Sequence, residues 1–186
     1  MTAVVAQRLL LAHPDASGNS LWSIAVDVQL TAASSLACRY RLHGELARVR
    51  VPGARAGRRA DGLWRHTCFE AFVAPVGAPG YYEFNFSPAL DWAAYRFEDY
   101  RTGMTAATLA QAPGLQLRRT ACELELSATV HLGGLAALRG AWALRVALAA
   151  VIEQDDGGLS YWALQHAPGS PDFHHPDSFG LELRPS

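Results

Sequence analysis

The chain has 186 residues, half of them hydrophobic and 18% charged, a composition suited to one folded domain spanning residues 1–186. Its formal net charge of −1 supplies no overall field for nucleic acid or anionic lipid, so neither is expected as a partner. All 16 basic residues are arginine, which excludes lysine Schiff-base chemistry. Cys38, Cys68 and Cys122 are odd in number and form no CxxC pair, so they read as buried free thiols in a cytoplasmic protein.

The first segment, "MTAVVAQRLLLAHPDASG", has a short apolar run with no basic residue before it and reads as a strand rather than a signal peptide. "LWSIAVDVQL" then puts Ile24, Val26, Val28 and Leu30 on one face, and "CRYRLHGEL" alternates Cys38, Tyr40 and Leu42 against arginines and His43. After the turn-rich "PGARAGRRADG", "CFEAFVA" sets Phe69, Ala71 and Val73 inward, and "YYEFNF" does the same with Tyr82, Phe84 and Phe86. "LQLRRT" and "CELELSATV" are two more strands, the second with Leu124, Leu126 and Ala128 inward. "GGLAALRGAWALR" is the one helix candidate. "WALRVALAAVIEQ" alternates through Leu144, Val146, Leu148, Ala150 and Ile152, and "DDGG" turns it into "LSYWALQH". About nine to eleven closely spaced strands predict an all-β fold, an antiparallel two-sheet β-sandwich.

The chemistry concentrates in the central hairpin. Glu70 and Glu83 lie symmetrically about "PVGAPG", so simple pairing would set the two carboxylates opposite each other on one sheet surface. Such a surface needs a cation, a proton or hydrogen-bond donors. Arg96 on the next strand is one candidate and the hydroxyls of a ligand are another; one residue of slip in "SPALD" decides whether Arg96 shares that face. Trp64, before this strand, and Trp162, after the "DDGG" turn, are candidate stacking platforms beside Glu70, Glu83, Asn85 and Arg96. Trp22, Trp92 and Trp142 are expected in the core.

Taken together, "LWRHTCFEAFV", "YYEFNFSPALDWAAYRFEDYRTGM", "AVIE" and "SYWALQHAPGSPDFHHPDSFGLEL" resemble the bacterial DOMON-like proteins, a group similar to the family 9 carbohydrate-binding modules. The resemblance runs over roughly residues 5 to 183 and implies the same two-sheet sandwich. It implies a ligand held between two tryptophans, one of them six residues before a hydroxyl-binding glutamate, which Trp64 and Glu70 match. Trp162 stands for the second tryptophan and Arg96 for the arginine of such sites. The expected function is therefore non-catalytic binding of a small polar ligand, a carbohydrate or glycoside, without a cofactor. Unlike those modules the chain is expected to stand alone without an export signal, an expectation that favours a small glycoside over a polysaccharide.

Two other readings stay open. Other DOMON relatives bind haem through a Met and a His, for which Met104 and the late histidines are the counterparts, and His166, Asp172 and His174 are metal-ligand candidates by residue type. The alternative is a glycoside hydrolase using Glu70 and Glu83. Ser87 and Ser160 lack a nucleophile elbow.

Overall fold

The structure, a computed structural model, describes residues 6–15, 21–31, 34–53 and 56–184. Among these residues twelve strands form, and every pairing between them is antiparallel. They are β1 (Ala6–Ala12), β2 (Trp22–Leu30), β3 (Ser35–Gly44), β4 (Cys68–Pro75), β5 (Tyr81–Phe86), β6 (Trp92–Phe97), β7 (Thr105–Ala106), β8 (Gly114–Arg119), β9 (Glu123–His131), β10 (Leu144–Glu153), β11 (Leu159–Ala163) and β12 (Leu181–Leu183). Their order is β7-β6-β5-β4-β10-β11-β1-β2-β3-β9-β8, with β12 also paired to β10.

The all-β, antiparallel expectation holds, but the two expected sheets are one. β1 joins β11 through Leu11 and Ala12 and joins β2 through Ala6 to Leu10, so the hydrogen-bonded ladder passes without a break from one half to the other. The sheet curls until the halves face each other. The Tyr40 hydroxyl of β3 donates to the Glu70 carbonyl of β4 at 2.8 Å, and the Tyr40 and Phe69 rings lie 5.1 Å apart. The core between the halves contains the residues that alternation assigned inward, from Ile24, Val26 and Tyr40 to Phe84, Leu124, Leu148 and Ile152.

The helix expected at 133–145 is only a 3-10 turn, Ala136–Leu138. Gly140 follows with φ of +75°, and from Leu144 the chain already belongs to β10, leaving too little length for an α-helix to form. Cys38 and Cys68 are buried and unbridged, whereas Cys122 is exposed, at odds with its expected burial. Trp142 is also exposed, its ring under the Arg184 guanidinium at 4.8 Å. No helix among the described residues is long and apolar enough to cross a membrane.

Burial separates the halves. β2 and β9 alternate buried with accessible residues, as strands covered on one face do, while β4 and β5 are buried at every position. The outer face of β4, β5, β6, β10 and β11 carries a second apolar cluster that includes Phe72, Tyr81, Tyr95, Phe97 and Val151. Phe173 and Phe179, from the segment after β11, complete it. Phe72 packs edge-on against His174 at 5.1 Å and Phe179 at 6.5 Å. That segment is what turns a half-wet sheet face into a walled site.

Candidate functional site

Between the covering segment and the sheet lies a cavity of about 500 Å³. Glu70 and Glu83 form its acidic part; Trp64, Phe97, Tyr161 and Phe173 are among its ring walls, and Arg65, Arg101, Met104 and His174 also line it. The placement follows from strand parity, since Glu70, Glu83, Tyr161 and Phe97 all lie on the face away from the main core.

The hairpin register corrects one expectation. Glu70 pairs with Asn85 and Glu83 with Phe72, so the glutamates are diagonal rather than opposite neighbours. The connection holds Gly77 at φ +80° and Gly80 at φ +81°; a Cβ on Gly80 would stand 2.8 Å from the Phe97 carbonyl oxygen, so only glycine fits this turn. Because the offset from simple pairing is two residues, parity is unchanged and both carboxyls still share a face. Diagonal neighbours stand about 7–8 Å apart at the backbone, within joint reach of two glutamate side chains.

Both groups are buried, Glu70 at 3% exposure and Glu83 at 5%. Asn85 donates its amide to Glu83 Oε1 at 2.7 Å, while its own Oδ1 has no partner. Glu70 Oε1 is buried without a hydrogen bond. Burial, followed by the charge of Glu83, holds the Glu70 carboxyl well above the usual carboxylate range. Burial likewise pushes Glu83 up to about 7, against the opposing effects of the Asn85 hydrogen bond and the Arg101 charge.

A chain of hydrogen bonds approaches Glu83 from the covering segment. The Arg101 backbone N–H donates to the Tyr81 oxygen at 3.2 Å, and the Tyr81 hydroxyl lies 2.8 Å from His174 Nδ1. With burial pushing His174 down to about 4, the imidazole is neutral near pH 7. Its Nε2 lies 3.8 Å from Glu83 Oε2. Asp172 fixes the segment by accepting from Arg101 at 2.7 Å, from the Tyr100 hydroxyl at 2.5 Å and from the His174 backbone at 3.0 Å.

The sequence-predicted residues divide accordingly. Trp64 reaches the cavity from the 3-10 turn Leu63–Arg65, 36% exposed, with its ring 5.9 Å from that of Tyr95. Glu70, Glu83 and Asn85 come together as described. Arg96 does not join them: it pairs with Tyr82 while Glu83 pairs with Tyr95, which puts its exposed side chain on the other face of the sheet. Trp162 is likewise turned inward, 4% exposed in the main core, with its indole N–H donating to Ser160 Oγ at 3.0 Å. The parity of β11 places Tyr161 in the cavity wall instead.

The metal candidates are also dispersed. His166 Nε2 is bonded to the Leu11 carbonyl at 2.8 Å, Asp172 to Arg101, and His174 to Tyr81. Among the described residues no group of three or more His, Cys, Asp or Glu side chains is placed to hold a metal ion. Met104 lines the cavity with an exposed side chain.

Arg101, Tyr161 and Phe173 are among the residues of the site that were not anticipated. For Tyr161 a signal existed. Carrying the inward parity of Ala150 and Ile152 across the "DDGG" hairpin turns Trp162 inward and Tyr161 out, as the observed pairs Ala150–Trp162 and Val151–Tyr161 do.

No family model matches the chain, and no curated protein matches it. Solved structures of similar fold exist. One is a "putative carbohydrate-binding protein" from Bacteroides uniformis, 16% identical, covering 98% of this chain and 87% of its own, with a TM-score of 0.72. A family 9 carbohydrate-binding module from Caldicellulosiruptor kristjanssonii, in complex with cellotriose, is 10% identical with a TM-score of 0.59, covering 97% of this chain and 82% of that one. The module in complex with glucose superposes at a TM-score of 0.57 and 10% identity, covering 98% and 84% of the two chains. At these identities the likeness is one of fold.

Proposed function

We propose that the chain is a non-catalytic binding domain for a small carbohydrate or glycoside, held in the cavity over β4, β5 and β11. The observation that carries this reading is the buried, hydrogen-bond-free Glu70 Oε1 beneath a ring-walled cavity. A buried polar atom without a partner costs stability unless something bonds to it. A carboxyl that holds its proton both donates and accepts, which suits a ligand hydroxyl doing the same. The aromatic walls suit the apolar face of a sugar ring. Trp64 and Tyr161 are the stacking groups of this reading, with Glu70, Glu83 and Asn85 beneath. The fold shared with proteins described as binding cellotriose and glucose agrees with it.

The placement of the carboxyls supports the binding reading over hydrolysis. Glycosidase carboxyls flank the scissile bond, whereas Glu70 and Glu83 rise from adjacent strands of one sheet face and approach a ligand from the same side.

Calorimetric titration of the protein with neutral and amino monosaccharides and short glucans tests the reading. Saturable binding to at least one of them is expected, weakened about tenfold or more by Trp64→Ala and by Tyr161→Ala, since each removes a stacking face. Absence of binding across the panel, or binding indifferent to both substitutions, would overturn it.

A further inference from the structure

Glu70 and Glu83 line the cavity together with Arg65 and Arg101, yet neither carboxyl is in ion-pair contact with either arginine. Several outer carboxylates have basic partners: Glu153 meets Arg50 and His66, Asp27 meets Arg41, and Asp172 meets Arg101. Glu70 and Glu83, more deeply buried than any of these, have no arginine within ion-pair distance among the described residues. Among the described residues the one base within ion-pair distance is His174, 3.8 Å from Glu83, and its other ring nitrogen is already occupied by Tyr81; the Arg101 charge acts on Glu83 from farther off. Arg101 is bonded to Asp172, Arg65 stands exposed at the rim, and Asp61 accepts the Tyr95 hydroxyl at 2.6 Å.

Two further features have the same sense. The carboxyls lie diagonally on one wall, so a single group in the cavity can meet both. The rings of Trp64, Phe97, Tyr161 and Phe173 surround the space before them, and ring faces attract cations. A neutral sugar satisfies the unpartnered Glu70 oxygen but leaves two like-charged groups that a proton has to reconcile. A protonated amine bonds both carboxyls, balances their charge and sits against the rings at once.

Resting on the carbohydrate-binding reading above, we propose that the ligand is an amino sugar, whose ammonium group lies between Glu70 and Glu83 while its ring stacks on Trp64 or Tyr161. The ammonium displaces the proton the pair otherwise holds, so binding releases a proton to solvent and weakens as the pH is lowered.

The test is isothermal titration of the full chain at about pH 7 with glucosamine, glucose, N-acetylglucosamine, glucuronic acid and, as an amine without a sugar ring, ethanolamine. Glucosamine is expected to bind about tenfold or more tighter than glucose and N-acetylglucosamine. Its heat should vary with the ionisation enthalpy of the buffer, as proton release requires. Glu70→Gln and Glu83→Gln, near-isosteric changes, should abolish the preference. Equal affinity for glucose and glucosamine overturns the amine proposal and leaves the sugar reading standing, as does a preference for glucuronic acid. Binding of ethanolamine with no sugar bound supports the ammonium site and overturns the sugar reading. If none of the five binds, both are overturned.

Discussion

The strands on the two sides of β1 obey different rules. β2, β3 and β9 are half-wet: their inward residues are chiefly Ile, Val, Leu and Tyr, with Trp22, Cys38 and Ala128, and their outer face pairs Arg41 with Asp27, Arg39 with Glu125 and His43 with Glu123. β4 and β5 are dry on both faces because residues 165–180 and the turn Leu63–Arg65 cover what would otherwise be their outer side. A carboxylate on the first half meets water and an arginine. On the second it meets aromatic rings and another carboxylate. The same strand geometry thus yields a solvated surface in one place and a buried, electrostatically perturbed cavity in the other, and the difference lies in the covering segment.

The main core belongs to both halves, so its disruption sets the upper end of the scale. Phe69, fully buried against Tyr40 across the core, ties the halves together. Phe69→Ala is expected to cost about 3–5 kcal/mol in guanidinium unfolding, with both halves lost in one transition. Separate transitions for the two halves would break the view of one continuous sheet.

The next largest effect belongs to the dry half alone. Glu83 is raised to about 7 from an ordinary value of 4.5, so between these pH values the fold retains a proton that the unfolded chain has released. Its contribution to stability is therefore present at low pH and is lost as the pH rises through 7. His174 works in the opposite sense: lowered to about 4 from 6.5, it favours the fold as pH rises through that window. The two oppose each other up to pH 6.5, above which the loss from Glu83 is unopposed. Measured by urea unfolding at several pH values, Glu83→Gln should gain on the wild type by about 3 kcal/mol from pH 4.5 to well above 7. Parallel curves for the two proteins would mean that Glu83 is not buried as an acid.

A smaller effect concerns the cover itself. Asp172 binds Arg101, Tyr100 and the His174 backbone from a partly accessible position, and Arg101 is half exposed, so solvent screens much of their attraction. Asp172→Asn is expected to lower global stability by about 1 kcal/mol or less. Amide exchange should nevertheless quicken in residues 165–180 while β2, β3 and β9 are unaffected. Equal acceleration in both halves would show that the cover is not a separate element.

These contrasts also explain what could be read without a structure. Alternation revealed the inward faces of β2, β3, β4, β5, β9 and β10, because period two reports which residues share a face wherever one face is apolar. It also placed Glu70, Glu83 and Asn85 together, since a two-residue register offset preserves parity. It did not place Arg96, because the "SPALD" turn decides that parity and its geometry was not evident from residue types. Arg101 and Phe173 were hidden for another reason: they come from loops, and no periodicity tells where a loop folds back. The closure into one sheet was equally illegible, since it depends on the five-residue and two-residue ladders that β1 makes with β2 and β11.

The finest distinction is between two diagonal pairs. Asp27 lies opposite Arg39 and bonds to Arg41, two residues along, at 3.0 Å; Glu70 lies opposite Asn85, with Glu83 two residues along. The geometry is alike, but the first pair is of opposite charge and partly solvated, and the second is of like charge and dry. A double-mutant cycle with Asp27→Asn and Arg41→Gln should give a favourable coupling of only about 0.5 kcal/mol, shrinking in high salt, because water already solvates both groups. The corresponding cycle with Glu70→Gln and Glu83→Gln should have the opposite sign above pH 7 and respond to pH far more than to salt, since burial rather than the ionic atmosphere governs it. If the second cycle resembled the first in sign and salt response, the covering segment would not be excluding water. The contrast between the halves would then reduce to composition alone.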